Sequence, residues 1–197
     1  MIHPVLKFLA EQMNVFIDQV KKNGDGIVSP VTILQSIVRL DDDALKNTNN
    51  ILLSLVNFSE EATMKNHPTY TILNNDMVTY KNPPINLNLF ILVTACMTNY
   101  ENALIYLSHA ITFFQGKYSF SLKNSVTQVE GLPDDFRIIL DLYTLSFEQL
   151  NYLWSTLGGK QHPFVCYKVR LLQLERESAT ETRGIIKQVR IEEPGNS

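Results

Sequence analysis

The chain has 197 residues, of which 45% are hydrophobic and 19% charged, with a formal net charge of −3. That length suits one sizeable domain and that composition excludes a disordered chain. An acidic balance with no Lys/Arg cluster also excludes a surface built to wrap nucleic acid or to lie on anionic lipid.

In chain order, residues 4–22 predict a helix. Val5, Leu6, Leu9, Met13, Phe16, Ile17 and Val20 form one apolar stripe, Pro4 suits the first turn, and Lys21-Lys22 followed by Asn23-Gly24 marks the end. The turn cluster Asn23-Gly24-Asp25-Gly26 lacks the alternate carboxylates and closing Glu of a calcium loop. Residues 31–40 fit either period, and their β-branched content favours a strand. The following run Asp41-Asp42-Asp43 reads as a solvated turn. Residues 51–58 form a clearer strand, and 60–81 then read as a long polar loop.

Residues 85–97 alternate as a long strand. Its odd positions are apolar throughout, while its even positions begin with Asn86 and Asn88 and become apolar at Phe90 and Leu92. One end is therefore covered on both faces and the other on one. Asn99 then serves as an N-cap with Glu101 in the first turn. The central helix that follows is expected to bury Tyr100, Ala103, Leu104, Leu107, Ala110, Ile111 and Phe114 and to end at Gly116.

Residues 118–122 and 136–143 are two further strands. Ser146 and Gln149 make a capping box, with Leu145 and Leu150 placed as a hydrophobic staple, for a short helix burying Leu150, Leu153, Trp154 and Leu157. Residues 164–174 form a long strand. Residues 175–183 are charged, and 185–191 alternate again, as a last strand or an arm. The order implies an α+β fold: a single domain whose mixed or antiparallel twisted sheet is packed by an N-terminal, a central and a short third helix. The domain spans residues 1–177, and 178–197 form a charged tether with a possible C-terminal strand or arm.

Familiar chemistry is missing. His3, His67, His109 and His162 have no metal-ligand spacing, and there is no nucleophile elbow, P-loop or dinucleotide fingerprint. Cys96 and Cys166 lie in apolar runs and read as buried thiols. The stretch FFQGKYSFSLK interleaves rings with lysines, but two lysines do not make a nucleic-acid funnel, so core packing is the better reading. No catalytic residue, metal ligand or cofactor site is assigned. The N-terminus shows no signal-peptide pattern, and the longest apolar run is too short to insert in a membrane. Residues alone lean toward a structural or interaction protein.

Four segments covering nearly the whole chain carry a resemblance: MIHPVLKFLAEQMN, LSLVNFSEEATMKN, INLNLFILVTACMTNYENALIYLSHAITFFQGK and LSFEQLNYLWSTLGGKQHPFVCYKVRLLQLE. In this order the chain resembles the cap, or tail-terminator, proteins of contractile phage-tail-like injection systems. The resemblance implies a structural cap and no enzyme. The cap would be a hexameric ring on the last inner-tube ring, distal to the baseplate, touching the last sheath ring and stopping both from growing. The implied partners are further copies of the chain, the inner-tube protein and the sheath protein, with no nucleic acid and no membrane insertion. Such a protein is made in the bacterial cytoplasm and belongs to a particle that can be released. Strand exchange between neighbours is the expected contact mode. The candidate contact residues are Asn86 and Asn88 on the less covered strand end, and Ile185, Lys187, Val189 and Arg190 in the arm, with residues 63–82 as a second contact loop. Two other classes remain: a monomeric adaptor that binds a secretion or phage component, and an enzyme with an unfamiliar site.

Overall fold

The computed structural model describes residues 1–22, 31–40, 48–61, 70–74, 77–81, 85–127, 129–158, 161–174 and 181–184. The first helix is α1 (Ile2–Lys22), followed by β1 (Thr32–Leu34) and β2 (Asn50–Glu60). A hairpin of β3 (Tyr70–Asn74) and β4 (Met77–Lys81) precedes the long β5 (Ile85–Cys96) and helix α2 (Tyr100–Gly116). Then come β6 (Ser119–Ser121), β7 (Arg137–Leu142), α3 (Phe147–Thr156), β8 (Phe164–Leu174) and β9 (Glu181–Gly184). The α+β class read from the sequence holds.

The described chain forms two compact units. The larger, Met1–Glu60 with Asn86–Leu172, is built on a six-stranded mixed sheet of order β1-β2-β5-β8-β7-β6. In it β1 runs parallel to β2, while the β2–β5, β6–β7 and β7–β8 pairs are antiparallel. The smaller, Glu61–Ile85 with Gln173–Ser197, holds a three-stranded antiparallel sheet of order β3-β4-β9.

Strand alternation distributes the core of the larger unit over two faces. On one lie α1 and α2. Phe8 of α1 meets Phe120 and Phe136 edge-on at 6.4 and 5.4 Å, Phe16 meets Phe113 of α2 at 5.4 Å, and Phe114 meets Tyr167 of β8 at 4.6 Å. Such ring pairs add about 0.5–1.5 kcal/mol each beyond their burial. On the opposite face α3 and a short 3₁₀ turn, Ile37–Arg39, cover Leu52, Leu92, Cys96 and Cys166. There Trp154 is the buried anchor, and Leu145, Leu150, Leu153 and Leu157 pack around it. From Ile91 to Cys96 every residue of β5 is buried, so the double covering expected for that end of the strand is present.

Three elements differ from expectation. Residues 31–40 are not one strand: β1 stops at Leu34 and the 3₁₀ turn follows, so both competing periods are used in succession. The polar segment 60–81 is not all loop, because it contains the antiparallel pair β3–β4. Each of its two runs is rich in β-branched and aromatic residues, which outweighed the polarity around them. Helix α2 buries Ala103, Ala110 and Phe114 as expected, but its inward face is rotated about its axis toward Tyr106 and Phe113. Ala103, Tyr106, Ala110, Phe113 and Phe114 are inside, whereas Tyr100, Leu104 and Ile111 are exposed. Aromatic rings at 106, 113 and 114 bury more apolar surface than the aliphatic chains at 104 and 111, so the helix turns that side inward.

Candidate assembly interface

The joint between β5 and α2 sets the geometry of the larger unit. Asn99 has extended backbone (φ −97°, ψ 125°), and its Oδ1 accepts from the Glu101 and Asn102 amides at 2.8 and 3.4 Å. The Thr98 amide donates to Asn49 Oδ1 at 3.1 Å, tying the joint to the segment that enters β2. At α3, Ser146 Oγ accepts from the Gln149 amide (3.2 Å) and Gln149 Oε1 accepts from the Ser146 amide (3.0 Å), completing the expected capping box. Gly131 has φ +88°, so the turn before β7 needs glycine for its conformation; a Cβ there would make only ordinary contact with Pro4 of α1 at 3.4 Å.

No group of three or more His, Cys, Asp or Glu able to hold a metal occurs among the described residues. Burial pushes both the Cys96 and Cys166 thiols up to about 11, which favours inert protonated thiols at neutral pH. The rings of FFQGKYSFSLK at Phe113, Phe114 and Phe120 are core residues, closed to stacking with bases. Lys117 lies 4.8 Å over the Phe120 ring, and burial lowers its pKa. No helix among the described residues is long and apolar enough to cross a membrane.

What the larger unit offers is surface. On α2, Tyr100, Leu104 and Ile111 recur at helical spacing along one flank of the buried stripe, all exposed, and Ile105 is exposed on another face. On α3, Phe147 is 91% exposed and Tyr152 is also out. At the outer end of β2, Leu55 and Phe58 are exposed on either side of a register shift between Leu55 and Asn57. The sequence reading missed the α2 stripe. The signal was an excess of apolar residues, more than one face of a seventeen-residue helix requires.

The candidate contact residues separate. Asn86 is half-buried, whereas Asn88, opposite Ser59 of β2, is only 3% exposed. Of the two, Asn86 has surface to offer. Ile185, Lys187, Val189 and Arg190 lie outside the described residues.

Comparison with known proteins adds family and fold. A family model described as the Pvc16 N-terminal domain matches residues 5–188. No curated protein matches the chain. Among solved structures, the PVC sheath/tube terminator of an extracellular contractile injection system, in its extended state, superposes with a TM-score of 0.62 at 11% identity. That match covers 100% of this chain and 64% of the other. The tube-terminating cap of the anti-feeding prophage, AFP, gives 0.61 at 12% identity, covering 95% of this chain and 60% of the other. The chain thus spans less than two thirds of either protein.

Proposed function

Since the chain belongs to the Pvc16 N-terminal domain family, we propose that it is a structural cap of a contractile phage-tail-like injection particle. In this role it closes into a six-fold ring on the last inner-tube ring, touches the last sheath ring and stops both from polymerising. The observation that carries the reading is the family match over residues 5–188, supported by the fold shared with two tube terminators. A heterologous contact that closes on itself yields a finite ring, and a finite ring is what a terminator requires. The partners are other copies of the chain, the inner-tube protein and the sheath protein. Its work is binding, with no catalysed reaction. Contacts run through Asn86 and through Ile185, Lys187, Val189 and Arg190. The α2 stripe Tyr100, Leu104 and Ile111 supplies apolar area that such contacts need at their centre.

The reading is tested by polymerising the inner-tube protein with and without the purified chain. The expected result is a shorter length distribution, with the chain found at one tube end. Unchanged lengths and bare ends on both sides would overturn it.

A further inference from the structure

Both edges of the six-stranded sheet carry the same device. At the β1 edge, the Ile51 amide donates to the Val31 carbonyl at 3.2 Å, so Val31 faces β2. Thr32, one residue on, therefore turns its amide and carbonyl outward, where another strand would pair. The side-chain amide of Asn14, from α1, takes both: Oδ1 accepts from the Thr32 amide at 2.6 Å and Nδ2 donates to the Thr32 carbonyl at 3.1 Å.

At the β6 edge, the Leu140 amide donates to the Tyr118 carbonyl at 2.8 Å, so Tyr118 and Phe120 face β7 while Ser119 and Ser121 face out. Here Asn124 does the same work. Its Nδ2 donates to the Ser119 carbonyl at 3.0 Å and its Oδ1 accepts from the Ser121 amide at 2.9 Å. The chain brings Asn124 back through a 3₁₀ turn, Leu122–Asn124, directly after the strand. A carboxamide has one acceptor and two donors in a plane, so it satisfies a strand edge as a peptide group would. Unlike a peptide group, it has no following residue to extend the ladder.

We infer that Asn14 and Asn124 are edge plugs that close the two edge strands, β1 and β6, to strand addition. Both edge strands are also short, three residues each, which limits what an added strand could gain. Strand exchange with a neighbouring copy or partner is thereby directed away from these two strands. Among the described residues, the three-stranded sheet, whose outer strands are β3 and β9, and the part of β2 beyond Leu53, which β1 does not pair, are left for it. Closure of the edges holds whatever the chain does in a particle.

The test compares the full chain with Asn14→Ala, Asn124→Ala, the double alanine variant and Asn124→Lys. Amide exchange followed by NMR should quicken about fivefold at Thr32 in Asn14→Ala and at Ser121 in Asn124→Ala, the factor that one hydrogen bond of average worth sets. Light scattering across a concentration series should show the double alanine variant growing in mass beyond the parent. Asn124→Lys loses the same two hydrogen bonds but places a charge on the edge, so it should associate less than Asn124→Ala. A double alanine variant with the parent's mass at every concentration would overturn the inference. So would a lysine variant that associates as strongly as the alanine one, since lost packing rather than an opened edge would then explain the growth.

Discussion

Replacing Asn99 by alanine isolates the cap that joins β5 to α2. The side chain is exposed, so its removal leaves no cavity, and its extended backbone is one that alanine adopts without strain. What is lost is an acceptor for two amides at 2.8 and 3.4 Å, the second a weak contact. Loss of an asparagine cap costs about 1 kcal/mol, roughly a fivefold change in the ratio of folded to unfolded chains. For a chain of this size the melting temperature should fall by about 2–4 °C. Urea unfolding should show a lower midpoint with an unchanged slope, because the surface exposed on unfolding is the same. Asn99→Ser and Asn99→Asp keep an acceptor in the same place and should recover most of the loss. The reasoning fails if Asn99→Ala unfolds with the parent, or if Ser and Asp cost as much as Ala.

Further variants probe the core. Phe120 is fully buried against Phe8, Phe113 and Phe114, so Phe120→Ala should cost about 3–5 kcal/mol and Phe120→Leu clearly less in the same urea assay. The inward face of α2 is checked by a pair: Leu104→Ala should stay within about 0.5 kcal/mol of the parent, while Phe114→Ala should lose about 3–5 kcal/mol. Alkaline pH should destabilise the fold. Cys96 and Cys166 are raised from 9.0 to about 11 and Tyr167 from 10.0 to about 12 by burial. Below pH 9 both states hold these protons. Above it the unfolded chain releases them first, and stability falls as pH rises toward the folded values. The urea midpoint followed from pH 8 upward should decline, and the decline should shrink in a Cys96→Ala/Cys166→Ala double variant.

Local rules made much of this fold legible. The Asn99 cap, the Ser146–Gln149 box and the doubly covered end of β5 are short-range features, and each lies where the residue spacing puts it. The face of α2 was legible only in part, because its apolar arc is wider than the stripe it buries, so the spacing leaves the inward direction open within that arc. Packing of Phe113, Phe114 and Tyr106 decided it. The β3–β4 hairpin was overlooked for a different reason. Its runs, Tyr70–Asn74 and Met77–Lys81, are separated only by Asn75-Asp76, a two-residue spacing that favours a hairpin, but they sit in a segment judged by its overall polarity. Of the two edge plugs, the Asn124 one is local in sequence, whereas the Asn14 one could not be foreseen. Asn14 and Thr32 are eighteen residues apart and meet only once α1 lies along β1. Nor did composition point to a contact surface, since an exposed Leu104 and a buried Ala103 differ only in which way the helix faces.

Electron microscopy of particles assembled without this chain tests the cap role most directly. A terminator's absence should leave tubes and sheaths abnormally long or ragged at the end distal to the baseplate, with normal length restored when the chain is supplied again. Particles of normal length and intact ends, made without it, would contradict the role.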